Sequence, residues 1–403
     1  MKRFLLFIFL LFPISINALE FPTTNAKTVE IYDLTEDKVI YETNSKKVVS
    51  IASLTKIATT ITAIEEIEDL DKTVTITEKI LSTVAPEASK AGLVAGDKLT
   101  YRDLLYASML PSGADATNSL AILSSGSVDK FVSKMNKLAK KLNLNDTHFV
   151  NVTGLDEKEH KSSADDVRKL LEYALNNPTF RKIYTTKEYT LSNGKTVRST
   201  LYKYNANESD REKILGSKTG YTIDAGYCLS SLSDINGHEM ITIVLNADKK
   251  DGTYFHISDT IDLINFMNSN YKDQILVKKN TIIKTLPVNL SKTDKYQIKA
   301  NKDITKYLPS DYDTKKINNK YKGLEKLSFR NKKGKKIGTI EYYYGKSLLY
   351  TQDVILKQDF KLDFIKLLKK YLIVIIIIVL VLLVLIKRTI NKIKRKKRKN
   401  RVK

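Results

Sequence analysis

The stretch "SIASLTKIAT", residues 50–59, places a serine and a lysine three positions apart among small and apolar residues. Isoleucines recur at helical spacing from this stretch through residue 67, which predicts a helix packed inside a domain. The spacing puts Ser53 and Lys56 on one face of that helix. Burial and the helix N-terminus both disfavour an ammonium group, so we expect a lowered pKa for Lys56 and a neutral amine that can take the proton of Ser53.

A Ser-x-x-Lys pattern alone is weak evidence, because the chain also contains "SVDK" at 127–130 and "SNGK" at 192–195. The first opens an amphipathic helix, with Ser127 predicted as its N-cap, and the second is predicted as a turn. The plain alternative for residues 53–56 is the same: a capping serine and a lysine that reaches solvent. A Ser-His-Asp arrangement has few candidates, since the chain has four histidines.

Two further motifs follow along the chain. "PSGAD", residues 111–115, supplies Ser112 on a loop between two predicted helices, and "GSKTGYT", residues 216–222, precedes a predicted pair of antiparallel strands. Each has a simple structural explanation when taken alone, as a turn and as a strand edge. In this order, the three motifs match the set typical of class A β-lactamases and penicillin-binding proteins.

On these motifs the sequence resembles the low-molecular-mass penicillin-binding proteins that are D-alanyl-D-alanine carboxypeptidases, from about Thr28 to Asn270. The resemblance implies an α+β fold with a penicillin-recognising transpeptidase-like domain, in which helices flank an antiparallel sheet. It implies a serine-type reaction that removes the terminal D-alanine from peptidoglycan stem pentapeptides. β-Lactam antibiotics would then be acylating inhibitors.

The resemblance also implies roles for individual residues. Ser53 would be acylated, Lys56 would act as its base, and Ser112 would relay protons between Lys56 and the leaving amine. The substrate-binding residues would be Lys218, Thr219, Gly220 and Tyr221. Among them, the lysine and the threonine would hold the substrate's terminal carboxylate, and main-chain N–H groups of residues 53 and 221 would form the oxyanion hole.

Two positions depart from the family pattern. Ala114 stands where the third residue of the second motif is most often asparagine, so substrate binding is weaker, another amide such as that of Asn118 substitutes, or activity is lost. Tyr221 stands where some relatives have histidine, which leaves the details of deacylation open.

Two other functions compete with this interpretation. A class A β-lactamase needs a glutamate on a loop to hold the deacylating water, and none of Glu157, Glu159, Glu172 and Glu188 lies in a segment that we recognise as that loop. A catalytically silent wall-binding protein could keep the fold, with Ala114 as a mark of decay. We expect no cofactor and no metal site, since histidines and cysteines are not clustered.

Both ends of the chain are apolar. Lys2 and Arg3 precede "FLLFIFLLF", residues 4–12, and this order predicts a signal peptide over 1–18. "YLIVIIIIVLVLLVLI", residues 371–386, is apolar all round and predicts a transmembrane helix, assigned to 365–388. The tail 389–403 is basic and has no acidic residue, so we expect it in the cytoplasm and the catalytic domain on the outer face of the cytoplasmic membrane.

Between the ends we expect a serine carboxypeptidase domain over 22–273 and a small β-rich domain over 274–360. The second is predicted from short alternating segments, including a hairpin centred on Gly334 and a strand in "SLLYTQDVIL", residues 347–356. The net charge of +23 lies partly beside the predicted membrane span, which favours anionic wall polymers or lipid headgroups over nucleic acid as partners. The single cysteine, Cys228, forms no intramolecular disulfide and is predicted as a buried strand residue.

Overall fold

The computed structural model describes residues 19–204, 207–300 and 302–399, so the predicted signal peptide, residues 1–18, lies outside the described residues. The chain divides into two compact units, the first ending at Lys272 and the second starting at Asp273. Each unit has its own apolar core.

An antiparallel sheet forms the centre of the first unit, in the strand order β2-β1-β9-β8-β7. The predicted hairpin over residues 28–44 is confirmed as β1 and β2, and the predicted strand pair that follows the Lys-Thr-Gly motif is confirmed as β8 and β9. The strands of this unit are β1 (Thr28–Asp33), β2 (Lys38–Thr43), β3 (Thr73–Thr75), β4 (Lys98–Thr100), β5 (Glu188–Thr190), β6 (Thr196–Arg198), β7 (Ile214–Thr222), β8 (Gly226–Ile235), β9 (His238–Ala247), β10 (Lys249–Lys250) and β11 (Thr253–Tyr254).

Helix α1 lies among other helices and packs against α3, α4, α5, α6 and α7. Its isoleucines Ile57 and Ile61 are fully buried, and each such side chain stabilises the fold by roughly 1.5–3 kcal/mol. Helix α6 also packs against the sheet, as does α9. The helices are α1 (Thr55–Glu66), α2 (Glu78–Leu81), α3 (Tyr101–Met109), α4 (Ala114–Ser125), α5 (Val128–Lys141), α6 (Ala164–Leu175), α7 (Pro178–Tyr184), α8 (Glu208–Arg211) and α9 (Phe255–Asn270).

The two kinds of Ser-x-x-Lys segment differ as the sequence predicts. Ser127 is the N-cap of α5, where its side chain accepts a hydrogen bond from the backbone N–H of Lys130. Ser53 makes no capping bond; it lies in a 3-10 turn, Ala52–Leu54, that leads directly into α1. Its hydroxyl is therefore available for another partner. Cys228 is fully buried in β8, as predicted.

The second unit consists of short strands around a small apolar core, followed by a long helix. The described strands form three sheets: β12 with β15, β14-β13-β17, and β16-β18-β19. The elements are β12 (Tyr271–Val277), β13 (Ile282–Asn289), β14 (Lys295–Lys299), β15 (Ile304–Pro309), β16 (Ile317–Gly323), β17 (Leu327–Ser328), β18 (Lys336–Tyr344), β19 (Ser347–Ile355) and α10 (Phe364–Lys399).

The predicted hairpin centred on Gly334 is wrong. Gly334 does lie in a turn with a positive φ of 85°, but the segment before it forms only the two-residue strand β17, which pairs in parallel with β13. The strand after it, β18, pairs with β16 and β19 instead. The lysine-rich residues before Gly334 have too few apolar side chains to form the other half of a hairpin. The strand predicted from residue 347 is confirmed as β19.

The helix α10 contains the predicted transmembrane segment. Within the described ranges it is the one helix long and apolar enough to cross a membrane, with a candidate span from Phe364 to Arg395 and a mean hydropathy of 3.0. Residues 371–386 are all exposed on its surface, which suits contact with lipid.

Candidate active site

Ser53 and Lys56 lie one turn apart at the start of α1. The Nζ atom of Lys56 donates a hydrogen bond of 3.0 Å to Oγ of Ser53. The lysine side chain is only 2% exposed. Burial lowers the pKa of Lys56 to about 7, although the carboxylate of Asp115 acts in the opposite direction. A large fraction of this amine is therefore neutral near pH 7 and can accept a proton.

A main-chain carbonyl completes the surroundings of the Lys56 amine. Nζ donates a second hydrogen bond, of 2.6 Å, to the carbonyl oxygen of Thr153. Asn151 holds this carbonyl in place, because its Oδ1 accepts from the N–H groups of Thr153 and Gly154 and its Nδ2 donates to the carbonyl of Leu155. Sequence reasoning missed these residues, since a carbonyl group is present at every position and carries no sequence signal.

Close packing fixes this loop against the segment that bears Ser53. Gly154 has a φ of +86°, and a Cβ atom there would lie 1.9 Å from the carbonyl oxygen of Ala52. His160 adds a hydrogen bond of 2.7 Å between its Nε2 and Oγ1 of Thr55. Its Nδ1 accepts from the N–H of Val150, so Nε2 carries the proton, and burial lowers the pKa of His160 to about 4. This histidine is a neutral structural link between the loop and α1.

Ser112 faces the site from the loop between α3 and α4. Its φ of +64° is uncommon for a residue other than glycine, and its side chain is buried. The carboxylate of Asp115 holds this loop by accepting hydrogen bonds of 2.8 to 2.9 Å from the N–H groups of residues 91, 92 and 93. The Ser112 hydroxyl accepts a 3.0 Å bond from Nζ of Lys218. It thus pairs with the second lysine of the site rather than with the first.

Lys218 and Thr219 lie on the edge strand β7. Lys218 is 1% exposed, and burial, followed by the charges of Lys56 and Lys203, holds its pKa well below the usual lysine range. The Thr219 hydroxyl lies 2.6 Å from the hydroxyl of Thr200, an interaction that no sequence motif indicated. An anion bound at this edge would favour the charged form of Lys218.

The next two residues of β7 bring the strand against the nucleophile. A Cβ atom at Gly220 would lie 2.9 Å from the backbone nitrogen of Ser53, so only glycine allows this approach. The Tyr221 ring is half-exposed and packs on Tyr227 at a centroid distance of 4.4 Å. Tyr221 thus follows directly after the residue at which β7 approaches the Ser53 nitrogen.

Ala114 opens α4 and is buried beside a cavity of about 310 Å³. Asn118, the amide offered by the sequence as a substitute, lies on the wall of that cavity. Its Nδ2 already donates to the carbonyl and hydroxyl oxygens of Thr83. The amide hydrogens of Asn118 are thus committed to another segment of the fold.

Two of the four glutamates considered for a deacylating water form ion pairs elsewhere. Glu172 accepts a hydrogen bond from Arg168, and Glu188 forms an ion pair with Arg198. Glu157 lines the cavity beside Ala114, and no hydrogen bond joins its carboxylate to Lys56 in the described structure. Among the described residues no group of three or more His, Cys, Asp or Glu side chains could hold a metal ion.

The structure joins Ser53 to Lys56, Ser112 to Lys218, and Gly220 to the Ser53 segment by direct contacts. Thr219 and Tyr221 flank Gly220 on β7. A hydroxyl is bonded to a buried amine, a second hydroxyl is bonded to a second amine, and a strand edge with main-chain donors lies alongside. Such a set can activate a serine, transfer its proton to a leaving group and bind a carboxylate.

Comparison with known proteins points the same way. A family model described as D-alanyl-D-alanine carboxypeptidase matches residues 16–249, and one described as the C-terminal domain of penicillin-binding protein 5 matches residues 271–362. The chain is 29% identical over 351 residues to D-alanyl-D-alanine carboxypeptidase DacF of Bacillus subtilis, covering 86% of this chain and 88% of the relative. It is 37% identical over 213 residues to a D-alanyl-D-alanine carboxypeptidase of Streptomyces sp. strain K15, covering 49% and 72%. The solved structure of penicillin-binding protein 5 from Haemophilus influenzae superposes with a TM-score of 0.66 at 23% identity, covering 85% of this chain and 99% of that one.

Proposed function

The chain belongs to the D-alanyl-D-alanine carboxypeptidase family and is a serine-type carboxypeptidase acting on peptidoglycan, and from that premise we propose that Ser53, Lys56, Ser112, Lys218 and Thr219 form its active site. The observation that carries the proposal is the 3.0 Å hydrogen bond between the buried amine of Lys56 and the hydroxyl of Ser53. A buried lysine with a pKa of about 7 is suited to act as a base at neutral pH.

In the acylation step, neutral Lys56 takes the proton of Ser53 while Oγ attacks the carbonyl carbon of the penultimate D-alanine. The carbonyl of Thr153 accepts a hydrogen bond from Nζ and so keeps the amine beside Oγ. The C–N bond of the tetrahedral intermediate then breaks, and D-alanine leaves after its nitrogen receives the proton. Water hydrolyses the resulting ester in a second cycle of the same proton transfers, which restores the Ser53 hydroxyl.

The Ser112 hydroxyl is the relay toward the leaving amine. It accepts from Lys218 and has its own O–H to donate to the departing nitrogen; in exchange it receives the proton that Lys56 took from Ser53, so Lys56 is neutral again for the second step. Lys218 and Thr219 supply a cation and a hydroxyl at one strand edge, and these two groups bind the terminal carboxylate. The lowered pKa of Lys218 rises again when the carboxylate binds, because an opposite charge favours the ammonium form.

The oxyanion of the intermediate binds to the backbone N–H groups of Ser53 and Tyr221. Support for this comes from Gly220, whose close approach places β7 directly against the Ser53 nitrogen. Removal of one such donor typically slows an enzyme by about 10²–10³-fold. The tyrosine side chain is not required for this role, since the donor belongs to the main chain.

Family membership favours a carboxypeptidase over the two competing functions. A β-lactamase would need a glutamate placed to hold water next to the ester, and the hydrogen bonds of Lys56 in the described structure go to Ser53 and Thr153 and not to a glutamate. A silent binding protein has no need for a buried lysine that forms no ion pair, which costs stability. Ala114 then weakens substrate binding without abolishing the reaction, because the base and the nucleophile do not depend on it.

The domain organisation that fits this function has a signal peptide over 1–18, a catalytic domain over 22–273, a β-rich domain over 274–360, an anchor over 365–388 and a cytoplasmic tail over 389–403. The apolar helix α10 supports the anchor, and the basic residues after it support a cytoplasmic tail with the catalytic domain outside.

Positive charge is concentrated in residues 273–363, which contain 21 lysines and arginines against 10 acidic residues. Residues 19–272 contain 31 against 35, so the β-rich domain is the part suited to an anionic surface.

Release of D-alanine from a synthetic pentapeptide ending in D-Ala-D-Ala tests the assignment. The wild-type protein is expected to release it, and Ser53→Ala is expected to release none while keeping the same thermal unfolding curve. An unchanged rate in Ser53→Ala would remove Ser53 from the active site.

A further inference from the structure

The β-rich domain contains a cavity that has no role in the proposed reaction. Its volume is about 490 Å³, in the range of sites that bind small molecules. It lies between β14 and β19, which are edge strands of two different sheets. An edge strand leaves main-chain N–H groups without a partner in its own sheet, and such groups can bind an anion. The floor of the cavity is apolar, since Ile298 and Val354 are buried there.

Three lysines line the cavity. Lys299 lies at the end of β14, Lys357 follows β19, and Lys279 lies in the turn between β12 and β13. All three are exposed, and none of their amines forms a hydrogen bond or ion pair with another described residue. Asp353 is the acidic residue of the described lining, and its carboxylate is already paired with Lys336 at 2.6 Å. Three like charges without a counter-charge repel one another, so an anion bound among them is stabilised.

Neutral donors complete the lining. The side-chain amides of Asn280, Gln297 and Gln358 are exposed in it and can donate hydrogen bonds to oxygen atoms. Asp303 lies outside the lining, where its carboxylate accepts a 2.7 Å bond from the backbone N–H of Lys279. Ammonium and amide donors over an apolar floor suit a phosphate group esterified to a small polyol.

The cavity lies close to the start of the helix α10. Phe364, the first residue of that helix, follows Gln358 of the cavity lining by six positions, which limits their separation to about 22 Å. The connecting segment is fixed to the domain, because Phe360 is buried and packs on Tyr296 at a centroid distance of 5.7 Å. Tyr296 itself belongs to the cavity lining.

The first turn of α10 is bonded to the same domain. Nζ of Lys366 donates to the carbonyl oxygen of Ser291 at 2.7 Å and pairs with Asp294 at 2.5 Å. Residues 364–370 separate the domain from the apolar run 371–386, and as a helix they rise about 10 Å. The headgroup layer on each side of a bilayer is about 5–8 Å thick. With 371–386 in the hydrocarbon, the domain is therefore held at the level of the headgroups.

We propose that this cavity binds the phosphate of an anionic lipid headgroup, with Lys279, Lys299 and Lys357 as its cationic contacts. The inference rests on the proposed role of α10 as a membrane anchor. A lipid is favoured over a soluble wall polymer, because the anchor keeps the cavity beside the headgroups and so raises their effective concentration. The polyol carbons lie on the apolar floor, and binding fixes the orientation of the β-rich domain on the membrane.

Amide hydrogen exchange of the full-length protein in lipid nanodiscs tests the proposal. Discs of phosphatidylcholine alone are compared with discs that also contain phosphatidylglycerol, whose headgroup has a net negative charge. With phosphatidylglycerol, amides of β14 and of residues 352–358 should exchange about ten-fold more slowly, the factor expected for a site that is about nine-tenths occupied. A soluble glycerol phosphate oligomer, added to the phosphatidylcholine discs at the same phosphate concentration, should give no such protection.

Two matched variants locate the effect. Lys299→Gln/Lys357→Gln should exchange at the same rate in the two kinds of disc. Lys320→Gln/Lys326→Gln removes the same charge from exposed positions of the same domain, outside the cavity lining, and should keep the ten-fold difference of the wild type. Both variants should unfold at the wild-type temperature, because all four lysines are exposed.

The outcomes separate this inference from the proposals on which it rests. A protein that does not enter the discs overturns the anchor and the inference together. Entry into the discs with equal exchange in both lipids overturns only the inference. Loss of protection in Lys320→Gln/Lys326→Gln as well contradicts it, because the charge of the whole domain is then responsible. Protection by the soluble oligomer also contradicts it and assigns the cavity to a wall polymer. None of these measurements depends on the release of D-alanine, so the catalytic assignment is tested separately.

Discussion

The Nζ atom of Lys56 lies 3.0 Å from Oγ of Ser53 and 2.6 Å from the carbonyl oxygen of Thr153. The first contact is set by helix geometry and the second by a loop that is distant in sequence. Together they hold a buried amine in the position of a general base, and no histidine or carboxylate of the described residues is hydrogen-bonded to it.

Lys56→Ala should abolish acylation and keep the fold. General-base catalysis typically contributes about 10²–10⁴-fold, so the labelling rate with a fluorescent penicillin should fall by at least that range. The variant should still unfold in one cooperative transition, although truncation of this buried side chain leaves a cavity and lowers the unfolding temperature. Stopped-flow labelling and thermal unfolding measure the two effects. A variant that is labelled at the wild-type rate would show that another group is the base.

The pH dependence follows from the two lysines. Acylation needs neutral Lys56, whose pKa is lowered to about 7, so kcat/KM should rise with pH and reach half of its maximum near pH 7. Carboxylate binding needs charged Lys218, whose pKa is also lowered. As the pH rises further, kcat/KM should therefore fall again, at a pH below that at which an ordinary lysine loses its charge. A profile of kcat/KM from pH 5 to 10 measures both limbs. A rate that is flat from pH 5 to 8 would contradict the role of Lys56.

Gly154→Ala should inactivate the enzyme. The added Cβ would meet the carbonyl oxygen of Ala52 at 1.9 Å, so the loop bearing Thr153 must move away from the Ser53 segment. Gly126→Ala is the matched control, since Gly126 has a φ of +82° and open space around it. The control should lose only about 1 kcal/mol of stability through backbone strain and should keep its labelling rate. Similar labelling rates in the two variants would mean that the position of this loop does not control acylation.

Ala114→Asn should lower KM for D-Ala-D-Ala peptides by a few-fold, because an amide then becomes available to the substrate backbone and a hydrogen bond contributes about 1 kcal/mol. The cavity beside position 114 can take the larger side chain. Steady-state kinetics on one pentapeptide measure the change in KM. Ala116→Asn, at a buried position on the same helix, is the control for the effect of a buried asparagine on folding alone. An unfolded or inactive Ala114→Asn would show that alanine is needed there for packing.

The parts of the site that the sequence predicts are those fixed by short spacing. Ser53 and Lys56 are one helical turn apart, so their contact follows from the helix itself, and the fold class follows from the order of the three motifs. The family match and the solved relatives confirm that fold class.

Other features depend on contacts between distant segments. No sequence pattern indicates that the carbonyl of Thr153 and the hydroxyl of Thr200 belong to the site. The pairing of Ser112 with Lys218 depends on how a loop and a strand meet in the fold. The hairpin predicted around Gly334 failed for a related reason, since strand partners in a small β domain are chosen by the whole core.

The central claim is that the Ser53 oxygen becomes the acyl carrier. Mass spectrometry of the full-length protein after brief exposure to penicillin, with peptide mapping of the adduct, tests it most directly. We predict one added penicillin, on the peptide that contains Ser53, and no adduct in Ser53→Ala. An adduct on Ser112, or full modification of Ser53→Ala, would contradict the account.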